Sequence, residues 1–455
     1  MPPFKFLGEP VRFCEAAPLV QRIPPGTEPV PCRPGALSDL APVRGRKHTR
    51  SDPSGSPSLN SRSRPADRFH PLRFGLIVLA TLCAPGLAGA QNPASGLLRG
   101  PQAARSSGTR AETVRIVAVG DLMMGTAFPD STYLDPRIVP GVPVDQLIGA
   151  ELVGLLRAGD VVFGNLEGAL FDEDGESKRC RNMDACYAFR SPEWYADLLA
   201  DMGFNLMSLA NNHSGDFLEA GRAATIAALE EHGIAYGGLA QAGAVTGTLE
   251  LGDGTRVGLA GFSPNKGTVS IHDLEGLRRL VVELDRTHDV VIVSFHGGAE
   301  GADRTHITRE PEEFYGERRG NVYEFAHAAV DAGADVVIGH GPHVPRAVEI
   351  YRDRFIAYSL GNFWTWARFN LRGPNGMAPV LDLEVDRDGR ALRARIVSAR
   401  QMGLGSPRLD PGARAARLIG DLSREDFPET GLEIDADGRI TWHAADTTPE
   451  AGAGP

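Results

Sequence analysis

From residue 114 onward, short apolar runs alternate with stretches whose apolar positions recur at helical spacing. The runs at 114–119, 161–163, 206–209, 257–262, 290–295, 336–338 and 355–359 read as strands, being β-branched or continuous in apolar character. Between them, 145–156, 192–202, 217–232 and 322–332 read as helices. This alternation predicts an α/β fold with a mostly parallel sheet under covering helices. Two later hairpins are expected, 380–385 with 391–397 around Asp388-Gly389 and 432–434 with 440–442 around Asp437-Gly438. Both are assigned to the periphery, with a short charged helix at 411–422 between them.

The first 73 residues show no such period. They are rich in Pro, Arg and Ser, and a segment of that kind cannot offset the entropy of ordering it. Then Arg68 and Arg73 precede the apolar run 74–82, a Pro85-Gly86 break and Ala88-Gly89-Ala90, the order of a secretory signal peptide. The run is short for a bilayer span, so a permanent anchor is the alternative. A signal normally begins a chain, so the true start of translation is expected downstream of Met1. The expected organisation is a leader at 1–73, a signal at 74–90, a linker at 91–112, a folded domain at 113–400 and an extension at 401–455 whose last dozen residues are disordered. The protein is expected to be exported, periplasmic or extracellular, or membrane-associated if the signal remains as an anchor.

Removing the leader changes the charge. Residues 1–90 hold 12 of the 47 Lys and Arg and 6 of the 58 Asp and Glu, so the remainder carries 35 against 52, a net of −17. That disfavours nucleic acid or an anionic membrane as a partner bound through overall charge. Of five cysteines, Cys14, Cys32 and Cys83 precede residue 91. Cys180 and Cys186 enclose a polar loop, and in an exported protein such a pair is expected to be a disulfide; a zinc site is the weaker reading, with no second pair in view.

Several predicted strands end in residues that can bind metal: Asp121, Asn165 with Glu167, Asn212 with His213, His296, and His340 with His343 across Gly341. Each has a plainer explanation as a turn residue, helix cap or half-buried polar group. Ligands of parallel sheets collect beyond the carboxyl ends of the strands, however, and mixed nitrogen and oxygen donors at one such edge suit a catalytic divalent metal. Gly341 lets the backbone turn tightly enough to aim both neighbouring histidines at one point.

The ordered motifs Gly120-Asp121-Leu122-Met123-Met124-Gly125, Phe163-Gly164-Asn165-Leu166-Glu167, Leu209-Ala210-Asn211-Asn212-His213, His296 with Glu300, Gly339-His340-Gly341-Pro342-His343 and Ser359-Leu360-Gly361-Asn362-Phe363 resemble the CapA family. That family is associated with poly-γ-glutamate capsule synthesis and export and is similar to calcineurin-like metallophosphoesterases. The resemblance implies a four-layer α-β-β-α sandwich with a C-terminal β-hairpin extension and a divalent metal, Mn, Zn, Fe or Mg. It implies Asp121, Asn212, His296, His340 and His343 as ligands, Glu167 or else Asn165 in place of a bridging aspartate, and His213 as catalytic acid. Asp160, at the front of its strand, is poorly placed for the bridging role. Asn165 and Arg190 are the candidates for substrate contact, a solvated surface arginine being the plainer reading of the latter. Two departures stand out: Met123 occupies the position of a metal-binding histidine in two-metal relatives, and the tryptophan often following the first late histidine is absent after His296.

Two function classes follow. One is a metal-dependent hydrolase or transferase acting on a phosphoester, an amide in an anionic polymer, or another cell-envelope substrate. The other is a non-catalytic accessory that binds such a polymer, working with a membrane complex that synthesises it.

Overall fold

The computed structural model describes residues 112–173, 175–179, 187–241, 243 and 245–442. The leader, the apolar run, residues 91–111, Cys180, Cys186 and the tail from 443 lie outside the described residues, and the expectations attached to them are not addressed by it. The main strands are β1 (Thr113–Met123), β2 (Val161–Leu166), β3 (Leu206–Ser208), β4 (Ala235–Gly237), β5 (Thr246–Glu250), β6 (Arg256–Phe262), β7 (Val290–His296), β8 (Val336–His340), β9 (Val348–Tyr351), β10 (Arg354–Ala357), β11 (Asn362–Thr365), β12 (Val380–Asp386), β13 (Ala391–Val397), β14 (Glu433–Ile434) and β15 (Arg439–Thr441). The helices are α1 (Val144–Ile148), α2 (Ala150–Leu156), α3 (Tyr195–Met202), α4 (Leu218–Glu231), α5 (Leu274–Asp285), α6 (Val322–Asp331) and α7 (Arg414–Asp426). The single helix expected over 145–156 is broken at Gly149, whose φ of 92° lies outside the helical region.

Two sheets form. The first runs β14-β15-β13-β12-β1-β2-β3-β4, with β11 also on β1, and the second runs β9-β10-β8-β7-β6-β5. Each has a parallel centre and antiparallel additions: β1, β2, β3 and β4 pair in parallel, as do β6, β7, β8 and β10, whereas β12, β5 and β9 run against their neighbours. Side-chain alternation sorts the core into three slabs. Ile116, Ala118, Val161 and Phe163 of the first sheet meet Val257, Val290, Ile292, Val336 and Ile338 of the second between the sheets. Val117, Val119 and Val162 face Leu152, Leu199 and Leu229 of the helices outside the first sheet, while Val291, Val293 and Val337 face Leu277, Val281 and Phe325 outside the second. The layers are therefore helix, sheet, sheet, helix, as the resemblance implied.

The hairpin of β12 and β13 corrects the expectation that it is peripheral. β12 pairs antiparallel with β1 along its length, Val114 opposite Val385 and Val119 opposite Val380, and so lies inside the first sheet. The second hairpin, β14 and β15, does extend that sheet at its edge. Helix α7 joins two cores, Ala416 and Ile419 entering the slab between the sheets and Leu422 the outer one.

Candidate functional site

Strand parity carries the chemistry into one place. Val161 and Phe163, Val290 and Ile292, and Val336 and Ile338 all point between the sheets, so at the same parity, two residues beyond Phe163 and Ile338 and four beyond Ile292, Asn165, His340 and His296 point there too. Pairing aligns them: Asp121 stands opposite Asn165 on β2 and Asn362 on β11, and His296 stands opposite His340. Asp121 sits where the β1 register shifts against both neighbours, an irregularity that re-aims a side chain. Gly120 allows it, since a Cβ there would lie 2.1 Å from the Gly361 carbonyl oxygen. Gly341 turns at a φ of 111° as expected, packed where a Cβ would meet the Gly297 backbone at 2.8 Å, and His343 itself adopts a left-handed φ of 57°.

Asp121 is the node of the resulting cluster. One oxygen accepts from Asn165 Nδ2 at 2.8 Å and lies 3.3 Å from His340 Nδ1, and the other is 3.0 Å from His343 Nδ1. Burial works to raise its pKa, yet the two adjoining imidazoles, His340 and His343, outweigh that and hold the carboxyl far below the usual range. Glu167 is equally buried without such relief: desolvation pushes it up to about 8, only partly countered by His343. His343 answers both acids, its Nε2 lying 3.7 Å from Glu167; burial alone would lower it, and Glu167 and Asp121 drive it to about 10. His296 has no comparable partner, and burial lowers it well below its ordinary value.

His213 stands beside these groups, its Nε2 at 4.0 Å from Glu167. It is positioned by two neighbours. Asn211 accepts from the His213 backbone N–H at 3.0 Å while donating to Asn165 Oδ1 and the Leu166 carbonyl, and Asp216 lies 2.7 Å from His213 Nδ1. Burial lowers the His213 pKa, with Asp216 opposing. Asp216 also accepts from the backbone of Phe189, whose ring stacks on His213 with centroids 4.1 Å apart.

The donor set fits a divalent cation. Both oxygens of Glu167, Nε2 of His296, both ring nitrogens of His340 and Oδ1 of Asn212 are buried without hydrogen-bond partners, although buried polar atoms are ordinarily paired. Asp121, Glu167 and His296 each offer a donor atom within 4.8 Å of the others. Carboxylate and imidazole in this mixture suit Zn, Mn or Fe, and less well a hard ion such as Mg.

The residues named from sequence separate as follows. Asp121, Glu167, His296, His340, His343 and His213 converge. Asn212 adjoins His213 in the chain and has a buried Oδ1 without a hydrogen-bond partner. Asn165 is fully buried and joins Asp121 to Asn211, which makes it a spacer within the cluster rather than a group open to substrate. Arg190 donates to the Glu173 carbonyl at 2.6 Å and lies over Phe217, neither of them a member of the cluster. Asp160 accepts from the Arg115 backbone at the opposite end of the strand. Sequence reasoning missed Arg319, fully buried, which pairs with Glu300 at 3.1 Å; Glu300 in turn lies 4.0 Å from His343 Nε2. It also missed Asp216, although an acid three residues after a histidine is the one signal that was available.

Among curated proteins, an uncharacterized protein of Sinorhizobium fredii, y4uA, is 29% identical over 387 residues, covering 70% of this chain and 78% of that one. The capsule biosynthesis protein CapA of Bacillus anthracis is 27% identical over 268 residues, 55% of this chain and 60% of that one. The PGA biosynthesis protein CapA of Bacillus subtilis is 26% identical over 271 residues, 55% and 64%. A 5'-nucleotidase precursor from Thermus thermophilus aligns at 12% identity and a TM-score of 0.34 over 69% of this chain and 59% of that one, a likeness too slight to bear on function. The family model of the bacterial capsule synthesis protein PGA_cap matches residues 115–365, the span that contains every member of the cluster, and the chain belongs to that family.

Proposed function

We propose that this is an exported protein of anionic capsule-polymer synthesis or export whose buried cluster is a metal-dependent hydrolytic centre. The observation that carries the reading is the set of unpartnered donor atoms on Glu167, His296 and His340 around Asp121. Asp121, Glu167, Asn212, His296, His340 and His343 would hold the ion, which when bound lowers the pKa of water and neutralises developing negative charge. The chain's own residues do the rest. Asp216 fixes His213 Nδ1, leaving Nε2 as the atom that takes a proton from the attacking water and returns it to the leaving group. Asn165 and Asn211 hold Asp121 and the 211–213 turn in register, and Arg319 holds Glu300 at the cluster's more exposed side. The substrate would be a phosphoester or an amide of an anionic polymer, handled beside a membrane complex that makes it. No helix among the described residues is long and apolar enough to cross a membrane.

A non-catalytic accessory role has one observation in its favour: Asp121, Glu167, His296 and His340 are at most 1% exposed, a tight fit for a reacting polymer. Elemental analysis, with hydrolysis assays on phosphodiester and γ-glutamyl substrates, separates the readings in wild type, His340→Ala and His213→Ala. The hydrolytic centre requires metal and turnover in wild type, loss of both in His340→Ala, and loss of turnover alone in His213→Ala. Metal without turnover in wild type favours the accessory. Absence of metal from intact wild type overturns the metal centre.

A further inference from the structure

The contacts around the cluster continue outward through aromatic rings. Phe369 stands edge-on to His343 at 5.4 Å between centroids and lies 5.5 Å from Phe189, which stacks on His213. These two phenyl rings thus touch both histidines of the cluster that retain some exposure. Beyond them, Tyr187 is 6.5 Å from Phe189, and the Arg368 guanidinium lies 5.0 Å over Tyr187 and 4.2 Å over Tyr133. Arg368 is therefore one residue from the ring on His343 and two rings from His213. Two tyrosine faces hold its plane while leaving the N–H edge to solvent or ligand. Among the described residues no carboxylate reaches ion-pair distance of it. Asp130, fully exposed and held low first by hydrogen bonds from Thr132, feels its charge only at a distance.

We propose that Arg368, set between Tyr133 and Tyr187, is the subsite for an oxyanion, carboxylate or phosphate, on a chain whose apolar part rests on the half-buried Phe369, with buried Phe189 packed behind it. The proposal rests on the reading above that the neighbouring cluster is the reaction centre. A chain of net −17 beyond residue 90 repels polyanions at long range, so an anionic substrate needs a local cation. A stacked guanidinium supplies one, with a fork of donors that matches either oxyanion. Arg368 thereby takes the role that the sequence alone assigned to Arg190.

The test is calorimetric titration of the full chain at low salt with inorganic phosphate and, separately, with tetraglutamate, in wild type, Arg368→Gln and Arg368→Lys. Metal content is measured on the same samples. Wild type is expected to bind one probe or both, and which one binds identifies the source of the oxyanion. Arg368→Gln is expected to weaken that binding about tenfold with metal unchanged. Arg368→Lys is expected to recover only part of it, because the ammonium keeps the charge and loses the fork. Binding of neither probe by wild type, or equal affinity in wild type and Arg368→Gln, overturns the subsite. Arg368-dependent anion binding in a wild type that takes up no metal overturns the metal centre and leaves the subsite standing.

Discussion

Glu312→Ala should be among the most damaging single substitutions outside the cluster itself. Arg346 is fully buried, its Nη1 and Nη2 each donating to one Glu312 oxygen at 2.8 Å, its Nε to the Arg304 carbonyl at 2.7 Å, and Nη2 also to the Ala299 carbonyl at 3.1 Å. Glu312 accepts in addition from the Ala299 backbone N–H at 2.8 Å. Truncation leaves a buried guanidinium without its counter-charge, worth about 3–5 kcal/mol, and strips one backbone N–H of its acceptor, worth about 1–3 kcal/mol. Water entering from the surface ribbon that carries Glu312 offsets part of this, so we expect a loss of about 4 kcal/mol. Urea unfolding followed by tryptophan fluorescence measures it, Trp364 being fully buried. The double variant with Arg346→Met should lose less than Glu312→Ala alone, since no orphaned charge remains. Because Ala299 is gripped at both its N–H and its carbonyl, metal affinity should fall as well through the loosened Glu300. A loss below about 1 kcal/mol, or the same loss in the Arg346→Met background, would refute the reasoning.

Three further outcomes follow from the same coordinates. Asp216→Asn replaces the charged acceptor of His213 Nδ1 with a neutral amide, so turnover should fall about tenfold to a hundredfold with bound metal unchanged; a parallel loss of metal would make Asp216 a structural support instead. Gly339→Ala places a Cβ 2.2 Å from the Tyr358 carbonyl oxygen and 2.4 Å from the Phe295 ring, next to His340, and should lower the unfolding free energy by about 3 kcal/mol; a change under about 1 kcal/mol in denaturant titration would contradict that packing. Burial pushes the Asp335 carboxyl up to about 6 from 3.8, so its contribution to stability is full below pH 3.8 and is lost as the pH rises through 6. Between pH 4 and 7 the stability of Asp335→Asn should therefore rise relative to wild type, by at most about 3 kcal/mol, whereas parallel pH profiles would show the shift to be absent.

The layered fold was legible where runs are continuously apolar. Strands buried on both faces, such as β7 and β8, allow no other reading of 290–295 or 336–338. The position of β12 was not. Asp382 and Glu384 alternate with apolar residues in the manner of a half-exposed edge strand, and alternation reports which faces are covered, not which strand lies alongside. In the structure Asp382 meets Arg115 of β1 through two hydrogen bonds of 2.7 and 2.9 Å, a pairing across 267 residues with no local trace.

The same limit divides the site. Histidines at strand ends announce themselves by type and position, and parity then sends His296 and His340 between the sheets without further information. Arg319 does not, because Glu317-Arg318-Arg319 reads as a solvated charge run until the loop around Gly298 closes over it and takes its Nε hydrogen bond at 3.0 Å. Asp121 is the sharper case. Continued at period two from Val117 and Val119, it would face the helices outside the first sheet. Leu122 and Met124 belong to that helix-facing core instead, so the chain slips by one residue between Val119 and Leu122 and turns Asp121 toward His340 and His343. Only Gly120 marks the slip in the sequence, and its meaning depends on Gly361 crossing directly above it, 241 residues away. A regular β1 would bury the carboxylate against leucines and leave the histidines without their common neighbouring charge, so the irregularity is a condition for the site rather than a flaw beside it.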